Sequence, residues 1–345
     1  MSDENKITGS RILIFGGTGS LGKTLIKRFL KDNKVCAYSR DESKHWTLKN
    51  EIDDSNLTFF IGDIRDKQRC LEALLSFRPT HIIIASALKH VDVCERSPYE
   101  SVLTNIEGVA NIVKCVNENI QSLDYLETVL MVSTDKACSP INVYGMCKAI
   151  AERMVTSCAA LESKIKFVAV RYGNVLESRG SIIPLFKYQA ENKDSITITH
   201  NEMTRYVMTL DESVDLIETA MLEGNSGETW IPALPAMKIL DLAEIYSEMY
   251  GKPIKVIGMR PGEKLHESLI NDSESLRTNK GKKYSVVLPS YTKPFNGKEF
   301  SMRSDDSLMT KEELRNHLED LDILQKPLSQ FIGKNIEDIN VGKKT

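Results

Sequence analysis

Several protein classes are excluded by what this sequence lacks. It has no C-x-x-C pair, and its seven cysteines (Cys36, Cys70, Cys94, Cys115, Cys138, Cys147 and Cys158) are odd in number and confined to the first half. That pattern speaks against a disulfide framework or a zinc site and fits scattered free thiols in a reducing compartment. No apolar run exceeds strand length, residues 81–85 (His-Ile-Ile-Ile-Ala) being typical, and residues 1–10 are polar with no signal core. Runs of that size are far too short to cross a bilayer. Blocks of like charge, internal repeats and low-complexity tracts are missing, and the formal charge is only -3. Nothing therefore calls for nucleic acid or an anionic membrane as partner. The expectation is a cytoplasmic protein with no membrane anchor and no metal.

What is present is an ordinary soluble composition, 41% hydrophobic and 27% charged over 345 residues, enough for a well-buried core. Strand-like runs at residues 11–15, 34–39, 57–61, 81–85, 128–132 and 167–170 alternate with helical periodicity at 21–30, 102–117 and 149–161. Alternation of this kind predicts an α/β fold, a Rossmann-type doubly wound parallel sheet, with a smaller substrate-binding C-terminal region. Beyond residue 180 prolines break the chain into short pieces. Helices are expected at 210–222 and 239–250, and the polar stretch 280–298 reads as irregular. Thr310-Lys-Glu-Glu313 has capping-box spacing ahead of a last helix at 314–321. The expected domains are 1–180 for a dinucleotide and the catalytic residues, 181–275 for the substrate, and a C-terminal extension over 276–345.

Between the first strand and helix lies Gly16-Gly-Thr18-Gly19-Ser20-Leu21-Gly22. Glycines there allow a tight turn and close backbone approach to a pyrophosphate at a helix N-terminus. The second strand ends Tyr38-Ser39-Arg40-Asp41, placing a hydroxyl and an arginine where NAD-preferring folds hold an acid. Arg40 can pair with a 2′-phosphate, so the expected cofactor is NADP. Asp63 and Ile64, after the third strand, would reach the adenine edge. Ala85 and Ala87, after the fourth, leave room for the cofactor backbone.

Ser133-Thr134-Asp135-Lys136 closes the fifth strand, at the edge where open α/β sheets bind ligands. Tyr144 and Lys148 follow, one helical turn apart. Lys148 can hold the nicotinamide ribose and lower the tyrosine pKa by its charge. Tyr144 then serves as general base toward a substrate hydroxyl. Trp46 and Trp230 read as packing residues.

These residues carry a resemblance. The chain resembles the extended short-chain dehydrogenase/reductases and, more narrowly, the inverting UDP-N-acetylglucosamine 4,6-dehydratase/5-epimerases of polysaccharide biosynthesis. The matching pieces are Gly16–Gly22, Ser39-Arg-Asp-Glu42, Ala87-Leu-Lys89-His90-Val91 and Ser133-Thr-Asp-Lys-Ala137. Arg171-Tyr-Gly-Asn174, Gly180-Ser-Ile-Ile-Pro184, Met203-Thr-Arg205 and Arg260-Pro-Gly-Glu-Lys264 complete them. They run over about residues 10 to 270.

The resemblance implies a redox-neutral cycle in which a hydride leaves sugar C4 for NADP+, water is eliminated across C5 and C6, and the hydride returns at C6. Retaining dehydratases carry Asp-Glu where this chain has Asp135-Lys136, and the lysine is typical of the inverting group. The resemblance thus gives Lys136 as the C5 base, Asp135 as the acid for the C6 hydroxyl, and Thr134 as the O4 ligand. It also implies that Asn174, Arg205, Arg260 and Glu263 meet the UDP phosphates and ribose. Lys89 and Asn105 would support cofactor and sugar, with His90 a structural neighbour. Family members often form homo-oligomers. Pro261 stands where some relatives have His, and Tyr144 is kept where some have lost it. A UDP-sugar 4-epimerase would share the glycines and the Tyr-Lys pair but needs no Asp-Lys. An NADP-sensing regulator would need neither pair.

Overall fold

The computed structural model describes residues 6–161, 163–177, 181–295 and 298–331. The chain forms two compact units, one of Met1–Tyr172, Asp211–Ala233 and Leu269–Ser301, the other of Gly173–Leu210, Leu234–Ser268 and Met302–Thr345.

The first unit begins with β1 (Arg11–Phe15), α1 (Ser20–Phe29), β2 (Lys34–Ser39), α2 (Glu42–Glu51) and β3 (Leu57–Ile61). It continues through α3 (Lys67–Phe77), β4 (His81–Ile84), α4 (Val91–Arg96), α5 (Pro98–Val102), α6 (Gly108–Glu118), β5 (Thr128–Val132), α7 (Val143–Thr156) and β6 (Lys166–Val170). The later segments add α8 (Leu210–Glu223), β7 (Thr229–Pro232), β8 (Thr278–Asn279) and β9 (Tyr284–Val287). One nine-stranded sheet results, in the order β8-β9-β7-β6-β5-β4-β1-β2-β3. From β3 to β7 all pairings are parallel, whereas β9 and β8 add antiparallel. The strand order reverses between β1 and β4, as expected of a Rossmann-type sheet. Every residue of β4 and β5 is buried, the reason both read as unbroken apolar runs.

Four expectations require correction. Residues 280–298 are not uniformly irregular, since Tyr284–Val287 pairs with Thr229–Pro232 as a sheet strand. Flanking lysines hide a strand only four residues long. The helix expected over 102–117 is instead α5, a π-helical turn over Leu103–Glu107, and then α6. Asn105 lies in that turn, accepting from Leu88 N at 2.9 Å and donating to Leu88 O at 2.9 Å. The helix expected from 149 starts at Val143, because Asn142 caps it by accepting from Gly145 N at 2.7 Å. Finally, the linear boundaries at 180 and 275 do not follow the compact units. Segment 211–233 joins the first unit when Arg28 of α1 pairs with Asp215 and Glu218 of α8 at 2.7 and 3.2 Å and β7 extends the sheet.

The second unit has its own core, in which Ile183, Phe186, Leu242, Tyr246 and Leu314 are buried. Its helices include Ile182–Asn192, Ile239–Tyr250 and Lys311–Asp320, the last opened by a Thr310/Glu313 capping box. Gly180 of the Gly180–Pro184 motif lies outside the described residues. Among the described residues no helix is long and apolar enough to cross a membrane, and no group of His, Cys, Asp and Glu could hold a metal ion. All seven cysteines are buried free thiols.

Candidate active site

At the carboxyl edge of β1 the chain turns through Gly16, whose φ of +92° suits glycine. A Cβ there would meet Ser86 N at 2.8 Å, and one on Gly22 would meet Gly16 O at 2.4 Å. Helix α1 begins with Gly19 as a cap that has no side chain, and no acid lies in its first turn. Its terminal N–H groups thus face the loop without a competing carboxylate. Behind the loop, Ser86 Oγ is buried without a hydrogen-bond partner. This cradle fits a dinucleotide pyrophosphate. Ala85 and Ala87 flank Ser86, and Lys89 is exposed just beyond them.

Along the β2 edge, Thr18 Oγ1 donates to Ser39 Oγ at 3.0 Å. Arg40 is exposed and stands 3.5 Å from Asp63, whose carboxylate is also held by Arg65 at 2.9 Å. Burial alone would raise Asp63, but the Arg65 contacts and the Arg40 charge hold it below the usual carboxylate range. Ile64 does not offer its side chain to an adenine edge. It is buried in the core, so close to Gly108 that a Cβ there would meet it at 2.5 Å.

The groups expected to be catalytic gather where β5 ends. Thr134 caps a short 3-10 turn, Asp135–Ala137. Its Oγ1 donates to Asp135 Oδ1 at 2.8 Å, and Lys136 Nζ donates to the same oxygen at 3.1 Å. Asp135 is fully buried, while the Lys136 side chain keeps 17% of its surface. The first turn of α7 packs directly on this turn, since a Cβ on Gly145 would meet Lys136 O at 2.2 Å. Only glycine lets the Tyr-Lys helix and the Asp-Lys turn approach so closely.

Tyr144 and Lys148 are both buried. Burial pushes the Tyr144 phenol up to about 12, while Lys136 pulls it down and Asp135 raises it. The leading cation acting on this tyrosine is thus Lys136, where Lys148 was expected. Lys148 is itself pushed down to about 8 by burial, against the opposing charge of Glu152. Its Nζ donates to Val132 O at 2.6 Å, which fixes the amine at the β5 end.

Several supporting contacts escaped the sequence reading. Glu95 accepts from Val143 N at 2.6 Å and so holds the start of α7. Tyr172 O accepts from Asp135 N at 2.9 Å. Arg171 is buried between Glu152 and Glu274, donating to Glu152 Oε2 at 3.2 Å and to Glu274 Oε2 at 2.7 Å. The readable signals were Asn142 before a helical run and the glycine inside Tyr144-Gly-Met-Cys-Lys148. The ion pairs, made across long sequence separations, had none.

Asn174, Arg205, Arg260 and Glu263 lie in the second unit. Asn174 Oδ1 is buried without a partner. Arg205 is no open fork, for it donates to Thr204 O at 2.7 Å and Lys264 O at 2.9 Å. It ties down the segment that carries Arg260 and Glu263. Arg260 is exposed, and its backbone N donates to Glu263 Oε2 at 2.9 Å.

Residues 12–289 match the family described as polysaccharide biosynthesis protein. A Campylobacter jejuni protein named UDP-N-acetylglucosamine 4,6-dehydratase (inverting) is 38% identical over 288 residues, covering 82% of this chain and 84% of its own. A Rickettsia prowazekii protein named UDP-glucose 4-epimerase is 36% identical over 278 residues, covering 78% of this chain and 80% of its own. Among solved structures, Pen from Bacillus thuringiensis superposes with a TM-score of 0.84 at 35% identity, covering 92% of this chain and 98% of its own.

Proposed function

The chain belongs to the polysaccharide biosynthesis family of extended short-chain dehydrogenase/reductases, and from that premise we propose that it is an NADP-dependent UDP-N-acetylglucosamine 4,6-dehydratase that inverts C5. Its product would be UDP-2-acetamido-2,6-dideoxy-β-L-arabino-hex-4-ulose. The observation that carries the reading is the contact of the Thr134–Lys136 turn with the first turn of α7, which gathers a hydroxyl, a carboxylate, an ammonium and a phenol at one strand end.

The glycine cradle, Ser39, Arg40 and Lys148 would hold the dinucleotide, with Asp63, Ala85, Ala87 and Lys89 beside it. When bound, the nicotinamide supplies a reversible hydride acceptor. Thr134 binds the sugar O4, and Tyr144 takes the O4 proton as C4 is oxidised. The resulting 4-ketone acidifies the C5 proton. At rest, Lys136 and Asp135 share a hydrogen bond of 3.1 Å. Moving one proton along it converts ammonium and carboxylate into amine and carboxylic acid, and exclusion of water by a bound sugar favours that uncharged pair. The amine of Lys136 then takes the C5 proton while Asp135 gives its own to the departing C6 hydroxyl, so one water is lost. The C5–C6 double bond left behind would be saturated by the borrowed hydride at C6 and by a proton at C5 on the opposite face, which gives the inverted product. Asn174, Arg205, Arg260 and Glu263 are proposed for the diphosphate and ribose, with Arg205 acting through the segment it ties down.

The test is UDP-N-acetylglucosamine incubated in D2O with no added reductant. A 4-keto-6-deoxy product of L-arabino configuration with deuterium at C5 is expected by NMR. Retained D-xylo configuration would remove the inversion. The name of the Rickettsia relative favours a second reading, 4-epimerisation. That reaction loses no water and leaves the mass unchanged. A protein that binds NADP yet alters no UDP-sugar would instead be a sensor.

A further inference from the structure

Behind Ser39 lies a histidine that neither the motif nor the proposed chemistry uses. His45, on α2, is 5% exposed. Its ring centroid stands 5.3 Å from that of Phe59, and its Nε2 lies 2.7 Å from Ser39 Oγ. Its other ring nitrogen, Nδ1, is buried with no hydrogen-bond partner. Burial also lowers its pKa, against the raising charges of Asp41 and Glu42, so the ring is neutral near pH 7.

A neutral imidazole carries one N–H and one bare nitrogen. A proton on Nδ1 would leave a donor stranded in a buried site, the rarer and costlier arrangement. With the proton on Nε2, His45 donates to Ser39 Oγ. Thr18 Oγ1 donates to the same oxygen at 3.0 Å. Both lone pairs of the serine hydroxyl are then filled, and its own proton must be given outward. Ser39 is thereby fixed as a donor beside the exposed guanidinium of Arg40.

We propose that His45 is a specificity-determining positioning residue, which holds Ser39 as a hydrogen-bond donor and so favours a 2′-phosphorylated adenosine ribose over an unmodified one. A phosphomonoester dianion offers only acceptors, matching a fixed donor and an arginine. A ribose 2′-hydroxyl offers a donor that Ser39 could no longer accept. This inference rests on the NADP reading above.

Calorimetric titration of the purified protein with NADP+ and with NAD+ tests it, without turnover. His45→Phe keeps the ring against Phe59 and removes the N–H. NADP+ affinity should fall about 10- to 150-fold, the worth of one hydrogen bond on a charged ligand, with NAD+ affinity not reduced. His45→Gln, whose amide can donate from a similar place, should restore most of the loss. Wild type preferring NADP+ with an unaltered ratio in His45→Phe would overturn the role of His45 and leave the NADP reading standing. Wild type without preference for NADP+ would overturn the NADP reading, and His45 would have nothing to select. Should the phenylalanine variant not fold, 15N shifts of the wild-type ring, assigned with His45→Gln, decide. A proton on Nε2 supports the arrangement, and one on Nδ1 refutes it.

Discussion

Exchanging Lys136 for arginine and for methionine should divide the catalytic cycle at two different points. The Tyr144 phenol is pushed up to about 12 by burial, and Lys136 is the main group pulling it down. At about pH 8, forming the phenolate therefore costs about 5 kcal/mol. A unit charge acting over a few ångströms at an effective dielectric near 20 is worth about 2–4 kcal/mol. Lys136→Met removes that charge, and reduced nicotinamide should form about 30- to 1,000-fold more slowly. Lys136→Arg keeps the charge, so the reduced cofactor should appear at nearly the wild-type rate. A guanidinium cannot become a neutral base, however. Elimination should then fall by about 10²–10⁴-fold, the usual worth of a general base. Single-turnover absorbance of the reduced nicotinamide reads the first step, and mass spectrometry of the quenched sugar reads the loss of water. An arginine variant that eliminates water normally would end the base assignment. A methionine variant that reduces cofactor at the wild-type rate would end the coupling of Lys136 to Tyr144.

Two other perturbations test the frame around the site. Gly22→Ala would place a Cβ 2.4 Å from Gly16 O and 2.6 Å from Gly17 C, both backbone; the variant should lose dinucleotide binding by calorimetry and about 1–3 kcal/mol of stability in urea. Arg171→Met should cost about 3–5 kcal/mol, because it leaves Glu152 and Glu274 buried without their shared cation. The same network predicts acid sensitivity. Burial alone would raise Glu274, but Arg171 overrides it and holds the carboxyl at about 2, below its ordinary 4.5. Its contribution, about 3 kcal/mol, is fully present above pH 4.5 and lost as pH falls toward 2. Glu274→Gln should flatten that part of the stability profile, and an unchanged slope would place the acid sensitivity elsewhere.

Much of the first unit was legible because its signals are local. The run Arg11–Phe15, glycines at fixed offsets and the spacing of Leu25, Ile26 and Phe29 state strand, turn and helix within twenty residues. The Ser-Thr-Asp-Lys and Tyr-x-x-x-Lys sets were readable for the same reason, each lying within five residues. The strand Tyr284–Val287 was not, because four residues among lysines become a strand only when Thr229–Pro232 offers them an edge.

The sequence by itself determined the parallel core of the sheet, the glycine-rich turn after its first strand and the candidate site groups, because backbone geometry and side-chain chemistry follow from neighbouring residues. Tertiary structure alone decided how those groups act on one another. It made Lys136 the leading charge that pulls Tyr144 down, committed Arg205 to backbone carbonyls and buried Ile64 in the core. It also placed His45 on Ser39 Oγ and Arg171 between Glu152 and Glu274. Electrostatic and hydrogen-bond effects depend on distance and burial, and those exist only once the chain has closed on itself.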